Sequence, residues 1–428
     1  MTILGIFFLS FVIFMILRMP LYLCLIASSS VYIFINPDIS MMTAMGKMMN
    51  APNSFTLLAV PFFIFAGQVM NLGGVSNRIF GFANVLVGHL RGGLAYVNVL
   101  ASMIFAGGSG SALADVGGLG LIEMKAMKEQ GYEDDIILGV TGASATVGPI
   151  IPPSIPFVVY GAMANVSIGG LFLGGIGPGV LIGLALCLFI FIIARKRQYV
   201  SRKRATLREI GKSFTGAFAA LMFPVIIIGG IWVGLFTPTE AAFVSAVYGI
   251  IISRFVYRDF KFKDTMNLIR ETVYMVGPAI SVVVGAALFA WIMTYEKVDK
   301  VIVQALFSIS TNKYVVLLLI NLLLLFLGMF IEVVAAIMLM LPILMPIIAV
   351  IDVNPIHLGV IMVLNMMIGL MTPPVGFSLY MLSTASKISF GQTVKYCFPW
   401  TIPLLIALAL VTYFEPVVMF LPRLMGMA

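Results

Sequence analysis

The chain has 428 residues, 61% of them hydrophobic and only 10% charged, with a mean hydropathy of +1.12. A soluble domain is typically about 45–50% apolar and about 25% charged; here there is more apolar surface than one aqueous core could hide, so lipid must be the solvent. The net charge of +8 does not mark a nucleic-acid binder, because 13 of the 25 Lys and Arg fall in two short stretches, 195–212 and 254–270, that flank apolar spans.

In chain order, apolar runs predict helices at about 3–17, 20–35 and 55–71. The first lacks a charged n-region and a small-x-small cleavage site, so it is expected to be retained as a helix rather than removed. A glycine-rich, broken region follows from about 92 to 165. Next come a span at 171–194, the first basic stretch (Arg195, Lys196, Arg197, Arg202, Lys203, Arg204, Arg208, Lys212), and two spans at 217–236 and about 239–253. The second basic stretch (Arg254, Arg258, Lys261, Lys263, Arg270) precedes a span at 273–295. An even number of crossings between the two stretches puts both on one side, as the positive-inside rule requires of cytoplasmic loops. A second broken region covers about 314–386, and a last helix about 397–421. Nothing alternates for long with the period of a barrel strand. The expected fold class is an all-α polytopic membrane protein.

The broken regions carry most of the information. Residues 314–351 are 38 positions with one charge, Glu332. As one helix they would run roughly 57 Å, nearly twice the hydrocarbon thickness, so the chain must turn back around Gly328–Glu332. That turn has few of the residues a wet loop would carry. A re-entrant hairpin covered by protein accounts for it. Residues 92–124 repeat the pattern, with the turn in GGSGSA at 107–112. Each hairpin is followed by an interrupted span, GPIIPPS at 148–154 and GLMTPPVG at 369–376, where paired prolines bar continuous helix. The landmarks share one offset: Gly107 to Gly328 is 328 − 107 = 221 residues, and Gly148 to Gly369 and Pro152 to Pro373 are the same. Two copies of a hairpin plus a broken helix are the mark of a repeated, inverted secondary-transporter architecture.

Unwound helices present free carbonyl oxygens, which hard cations favour. The candidate Na⁺ ligands in copy one are Ser109, Gly110 and Ser111 at the tip, facing Thr146, Val147, Gly148 and Pro149. In copy two they are Gly328, Phe330 and Glu332, facing Gly369, Met371 and Thr372. About two Na⁺ sites are expected. The substrate should lie between the tips, against Ser111, Pro153, Ser154, Pro373 and Pro374. For any single glycine, close helix packing is the better reading; for the paired clusters taken together, ion binding is. Asp115 and Glu332 are acids in apolar surroundings, either ion sites or partners for backbone donors at a hairpin tip. Thr237-Pro238-Thr239-Glu240 fits a helix-capping box. Cys24, Cys187 and Cys397 show no disulfide or metal spacing, and His89 and His357 stand alone. Gly211-Lys212-Ser213 lacks the earlier glycine of a phosphate loop, position 206 being Thr.

In combination GGSGSALADVGGLG (107–120), GPIIPPS (148–154), TPTEAAF (237–243) and MTPPVGFSLY (371–380) resemble the large membrane subunits of tripartite ATP-independent periplasmic (TRAP) transporters. The resemblance covers essentially the whole chain. It implies an elevator-type carrier of the bacterial inner membrane, with Na⁺ and a carboxylate substrate bound at the hairpin tips and unwound loops. It also implies two partners, a small four-helix membrane subunit and a periplasmic binding protein that delivers substrate. No fused small-subunit extension is present, so a separate partner is expected. One departure is that copy two has Glu332 where copy one has Ser111, so the two ion sites need not be equivalent.

On this reading the chain divides into N-terminal scaffold helices (1–91), transport repeat 1 (92–170), connecting helices with the basic loops (171–295), transport repeat 2 (296–390) and a C-terminal helix (391–428). The expected function is Na⁺-coupled symport of an organic acid anion of the sialic acid or C4-dicarboxylate type. A carrier driven by protons through Asp115 or Glu332 is the alternative. An intramembrane enzyme is remote, since no histidine with a plausible partner lies in the broken regions. A non-transporting scaffold would not need two matched units.

Overall fold

Helices account for every regular element among the described residues of the computed structural model, which are 3–197, 199 and 203–427; the side chains of Gly107, Ser109 and Asp299 lie outside them, as does Arg202 of the first basic stretch. The chain opens with α1 (Ile3–Ile16), α2 (Leu21–Ile35), α3 (Met41–Asn50), α4 (Ala59–Leu72) and α5 (Val75–Val87). The first broken region resolves into α6 (Gly93–Ser109), α7 (Ala112–Gly117), α8 (Leu119–Glu129), α9 (Asp134–Ala145) and α10 (Ile155–Ala164). Four long helices follow, α11 (Ile168–Lys196), α12 (Leu207–Trp232), α13 (Pro238–Ile251) and α14 (Thr265–Tyr295). The second broken region holds α15 (Val298–Ile309), α16 (Lys313–Gly328), α17 (Val333–Val350), α18 (Pro355–Leu370) and α19 (Phe377–Ser386). The chain ends in α20 (Phe390–Cys397), α21 (Thr401–Tyr413) and α22 (Pro416–Leu424).

Among the described residues seven helical segments are long and apolar enough to cross a membrane. Their outer faces show lipid to be the solvent. On α11, Val180, Leu184, Leu188 and Phe191 form an exposed stripe at helical spacing, while Gly179, Ile182, Gly183, Leu186 and Ile190 on the opposite face are buried. A water-facing helix would carry charges along that stripe. Local chemistry sets the helix starts. Thr237 and Glu240 form the capping box of α13, and Thr206 with Glu209 forms a second at α12 that the sequence reading passed over. Gly211, Lys212 and Ser213 lie inside α12 and not in a phosphate-binding turn.

One expectation needs correction, and some helices fall between the segments predicted above. The helix expected over about 397–421 is broken at Phe414–Glu415, which separate α21 from α22, while at its start it runs back through a 3-10 turn at Phe398–Trp400 into α20. Residues 41–50, which lie between the helices expected at 20–35 and 55–71, form α3, started by the Ser40 side chain accepting from the Met42 amide (3.2 Å). Residues 298–309 form α15, and the chain bends by 117° between it and α16. These two helices and α5 (Val75–Val87), which also lies between the predicted segments, are short, and none has by itself the long apolar run that marks a span.

The two broken regions cross over each other. The return arm of the first hairpin, α7, packs on α19, the far half of the second broken helix. Reciprocally α17, the return arm of the second hairpin, packs on α10, the far half of the first. Within each copy the outgoing arm lies along the near half of its own broken helix, α6 on α9 and α16 on α18. Around this centre α4 packs on α13, α14 on α2, and α12 on α5.

Candidate functional site

Both turns stand where the glycine clusters place them. In copy one Gly110 takes a left-handed conformation (φ +56°) that ends α6. Ser111 then caps α7, its hydroxyl accepting from the Ala114 amide at 3.5 Å. A Cβ on Gly110 would lie 2.7 Å from the Pro153 carbonyl oxygen and 3.3 Å from the Ile155 nitrogen, so the tip touches the unwound segment backbone to backbone. In copy two the contact is tighter. A Cβ on Gly369 would lie 2.5 Å from both Cα and C of Gly328, and the Gly376 amide donates to the Met329 carbonyl (3.4 Å). Side-chain-free backbone at these positions is what lets a hairpin seat on a broken helix.

The unwound segments are 146–154, between α9 and α10, and 371–376, between α18 and α19. Each contains a cis prolyl bond, Pro152-Pro153 and Pro373-Pro374. In the first, the Val147 carbonyl accepts from the Ile150 and Ile151 amides (3.0 Å each), and Ser154 caps α10, accepting from the Phe157 amide (3.3 Å) while donating to the Pro149 carbonyl. In the second, the Gly369 carbonyl accepts from the Thr372 amide (2.9 Å), and the Thr372 hydroxyl donates to the Ile368 carbonyl (2.8 Å). Val147, Pro149 and Gly369 thus have engaged carbonyls. The side chain of Ser109 lies outside the described residues.

The two acids part company. Glu332 caps α17, accepting from the Val334 (3.0 Å) and Ala335 (3.4 Å) amides, and it is exposed at the tip. Asp115 is 1% exposed, and neither carboxylate oxygen has a hydrogen-bond partner. The two junctions also differ in access. Thr146, Val147, Gly148, Pro149, Pro153 and Ser154 are buried, whereas Phe330, Glu332 and Pro374 are exposed and Thr372 and Pro373 half-buried.

Four helices begin at the two junctions, capped at Ser111, Ser154, Glu332 and Gly376. Helix N-termini carry partial positive charge and unsatisfied amides, and they favour anions. The segments 105–120, 144–157, 326–336 and 366–380 contain no Lys or Arg, so these segments offer an anion helix termini and no basic side chain.

A pair of buried polar bridges went unnoticed in the sequence. Ser144 on α9 donates to Asn98 Oδ1 on α6 (2.6 Å), and Asn98 Nδ2 donates to Thr141 (2.9 Å). In copy two Asn365 on α18 donates to Asn321 Oδ1 on α16 (2.7 Å), and Asn321 donates to Thr412 (3.0 Å). A signal was there: 365 − 144 = 221, the offset of the glycines. Each bridge fastens a hairpin arm to its own broken helix. Asn365→Ala leaves the buried Asn321 acceptor without its donor, a loss of about 1–3 kcal/mol, and is expected to lower the unfolding temperature of the purified protein. An unchanged temperature would mean the bridge contributes nothing.

Residues 8–417 match the family described as "Tripartite ATP-independent periplasmic transporter, DctM component". The sialic acid TRAP transporter large permease protein SiaM of Vibrio cholerae is 43% identical over 406 residues, 95% of each chain. The C4-dicarboxylate TRAP transporter large permease protein DctM of Pseudomonas aeruginosa is 41% identical over 382 residues, 89% of this chain and 90% of that one. The sialic acid TRAP transporter permease protein SiaT of Haemophilus influenzae is 43% identical over 379 residues, 89% of this chain but 62% of the longer relative. Among solved structures, the YdaH transporter of Alcanivorax borkumensis shares the fold, with TM-score 0.68 at 14% identity over 96% of this chain and 98% of that one.

Proposed function

Because the chain belongs to the DctM component family of TRAP transporters, we propose that its two hairpin-and-break units carry an organic acid anion together with Na⁺. As a large permease of that family it is an inner-membrane transport protein for organic acids and not an enzyme. The family implies a small membrane subunit and a periplasmic binding protein as partners. The substrate is an anion of the sialic acid or C4-dicarboxylate type, the classes named for the relatives.

One observation carries the reading: four helix starts, three of them capped by a side chain, meet at two backbone-to-backbone junctions whose own segments hold no Lys or Arg. A carboxylate is met there by amide dipoles, and a cation at each junction would supply the charge that no basic side chain provides. The residues fit such a cation. Oxygen is the only ligand chemistry on offer, from Ser111, Thr146 and Gly148 in copy one and from Glu332, Met371 and Thr372 in copy two. Residues 92–170 and 296–390 would move as one body, since α7 lies on α19 and α17 on α10. This is the rigid displacement that an elevator requires.

The test is uptake into proteoliposomes holding this chain and its small membrane subunit, with substrate-loaded binding protein outside. Sialic acid and C4-dicarboxylates are offered under a Na⁺ gradient, a proton gradient or neither. Uptake that appears only with the Na⁺ gradient is the expected result. Uptake driven by protons alone would overturn the Na⁺ assignment.

A further inference from the structure

The turn that joins α13 to α14 is built more firmly than a connecting loop requires. Beyond Ile251 the chain widens into a π-helical turn, Ile252–Val256, a form that is rare and frequent at functional sites. The Ser253 carbonyl accepts from both the Asp259 (3.1 Å) and the Phe260 (3.2 Å) amides, and the Ser253 hydroxyl donates to the Val69 carbonyl of α4 (3.2 Å). Phe260 is 2% exposed and packs with Val69 and with Leu268 of α14. Asp259 pairs with Arg78 of α5 at 2.9 Å, and that guanidinium lies 3.8 Å from the centre of the Tyr257 ring. Arg258, between Tyr257 and Asp259, is held at φ +61°. A residue other than glycine keeps that left-handed conformation only where its surroundings impose it.

This pinned turn displays cations and apolar side chains together. Arg258, Lys261 and Lys263 are exposed, and none forms an ion pair among the described residues. Phe262, 65% exposed, stands between the two lysines in sequence, and the Arg254 guanidinium lies 5.5 Å from the centre of its ring. Phe255 and Val256 on the π-helical turn and Met266 at the start of α14 are exposed as well. Acids are few: residues 254–270 carry five basic side chains and two acidic ones, and of those two Asp259 is taken by Arg78. Orienting a chain in the membrane needs basic charge, but neither a pinned backbone nor an aromatic ring between the charges. A soluble anion would meet the cations and leave the apolar side chains in water, whereas a lipid satisfies both at the boundary of headgroups and acyl chains. We propose that this turn binds an anionic phospholipid of the cytoplasmic leaflet, with Arg258, Lys261 and Lys263 on the headgroup phosphate and Phe262 among the acyl chains. The site depends on the basic loops facing the cytoplasm and not on which ion or acid is carried.

Phe262→Trp puts a fluorescent reporter at the turn. The full chain carrying it is reconstituted into bilayers that mix phosphatidylcholine with phosphatidylglycerol, one or the other bearing brominated acyl chains that quench the indole. Trp232, Trp291 and Trp400 give a background that is measured in the protein without the substitution. Phosphatidylglycerol is expected to occupy the turn with at least about tenfold preference, since each basic side chain near an anionic surface strengthens attraction about fivefold. Combining Arg258→Gln, Lys261→Gln and Lys263→Gln should bring the two lipids to equal occupancy, while Lys261→Arg with Lys263→Arg should keep the preference. Arg208→Gln with Lys212→Gln, in the other basic stretch, should leave it unchanged. Equal quenching by the two lipids in the reporter protein would overturn the proposal, as would a preference that survives the triple glutamine change. A preference that falls as far with Arg208→Gln and Lys212→Gln would also overturn it, by assigning the effect to the overall charge of the cytoplasmic face. Quenching by neither lipid would mean that protein covers the turn, and would overturn it too.

Discussion

Gly369→Ala should nearly abolish uptake while leaving a folded, membrane-inserted protein. The added methyl would sit 2.5 Å from Cα and C of Gly328 and 2.8 Å from its carbonyl oxygen. All three atoms are backbone, so no side chain can swing aside. Restoring ordinary contact at about 3.5–4.0 Å moves the second hairpin tip by roughly 1 Å, and displacements of that size in a positioned site cost up to about 100-fold in rate. Gly277→Ala is the control, since nothing lies within 4 Å of a Cβ there and alanine is the better helix former. Uptake by the Gly369→Ala protein at the unaltered rate would mean that the junction does not position the transported species. Gly110→Ala, which combines φ +56° with a 2.7 Å approach to the Pro153 carbonyl, should behave in the same way at the first junction.

Glu332→Gln separates two duties of one side chain. The amide keeps an oxygen that can accept from the Val334 and Ala335 amides, so the cap on α17 survives and the unfolding temperature should shift little. What it removes is the negative charge at the tip. If that charge helps to hold a cation at the second junction, Na⁺-driven uptake should fall by at least about tenfold, as intramembrane carboxylates commonly mark ion pathways. Glu332→Ala should lose the cap as well, which costs about 0.5–2 kcal/mol. Full activity in Glu332→Gln combined with a lower unfolding temperature in Glu332→Ala would assign the residue to capping alone.

Much of the architecture was legible because it rests on residues with few alternatives. Glycines at 107, 148, 328 and 369 and the two proline pairs mark places where the backbone must turn or unwind, and their common offset exposed the duplication before any packing was known. The buried bridges were not legible in the same way. Asn98, Ser144, Asn321 and Asn365 are ordinary polar residues within apolar runs, and only the facing helix reveals that each has a partner. Asp115 and Glu332 looked equivalent as isolated acids. Position relative to the helix start divided them, one becoming a cap and the other staying unpartnered. The break at Phe414–Glu415 between α21 and α22 was missed because one acid and one proline barely lower the hydropathy of the run around them.

The crossed packing of the two halves sets an order of events during synthesis. The return arm α7 ends at Gly117 and its partner α19 begins at Phe377, so 377 − 117 = 260 residues must be made before the first hairpin is covered. At about 5–20 residues per second that wait is roughly 13–52 s. For that time the face of α7 that later meets α19 stands without its partner, although α6, α8 and α9 are already there to pack on its other faces, and a ribosome that stalls after α14 leaves behind half of an interlocked pair.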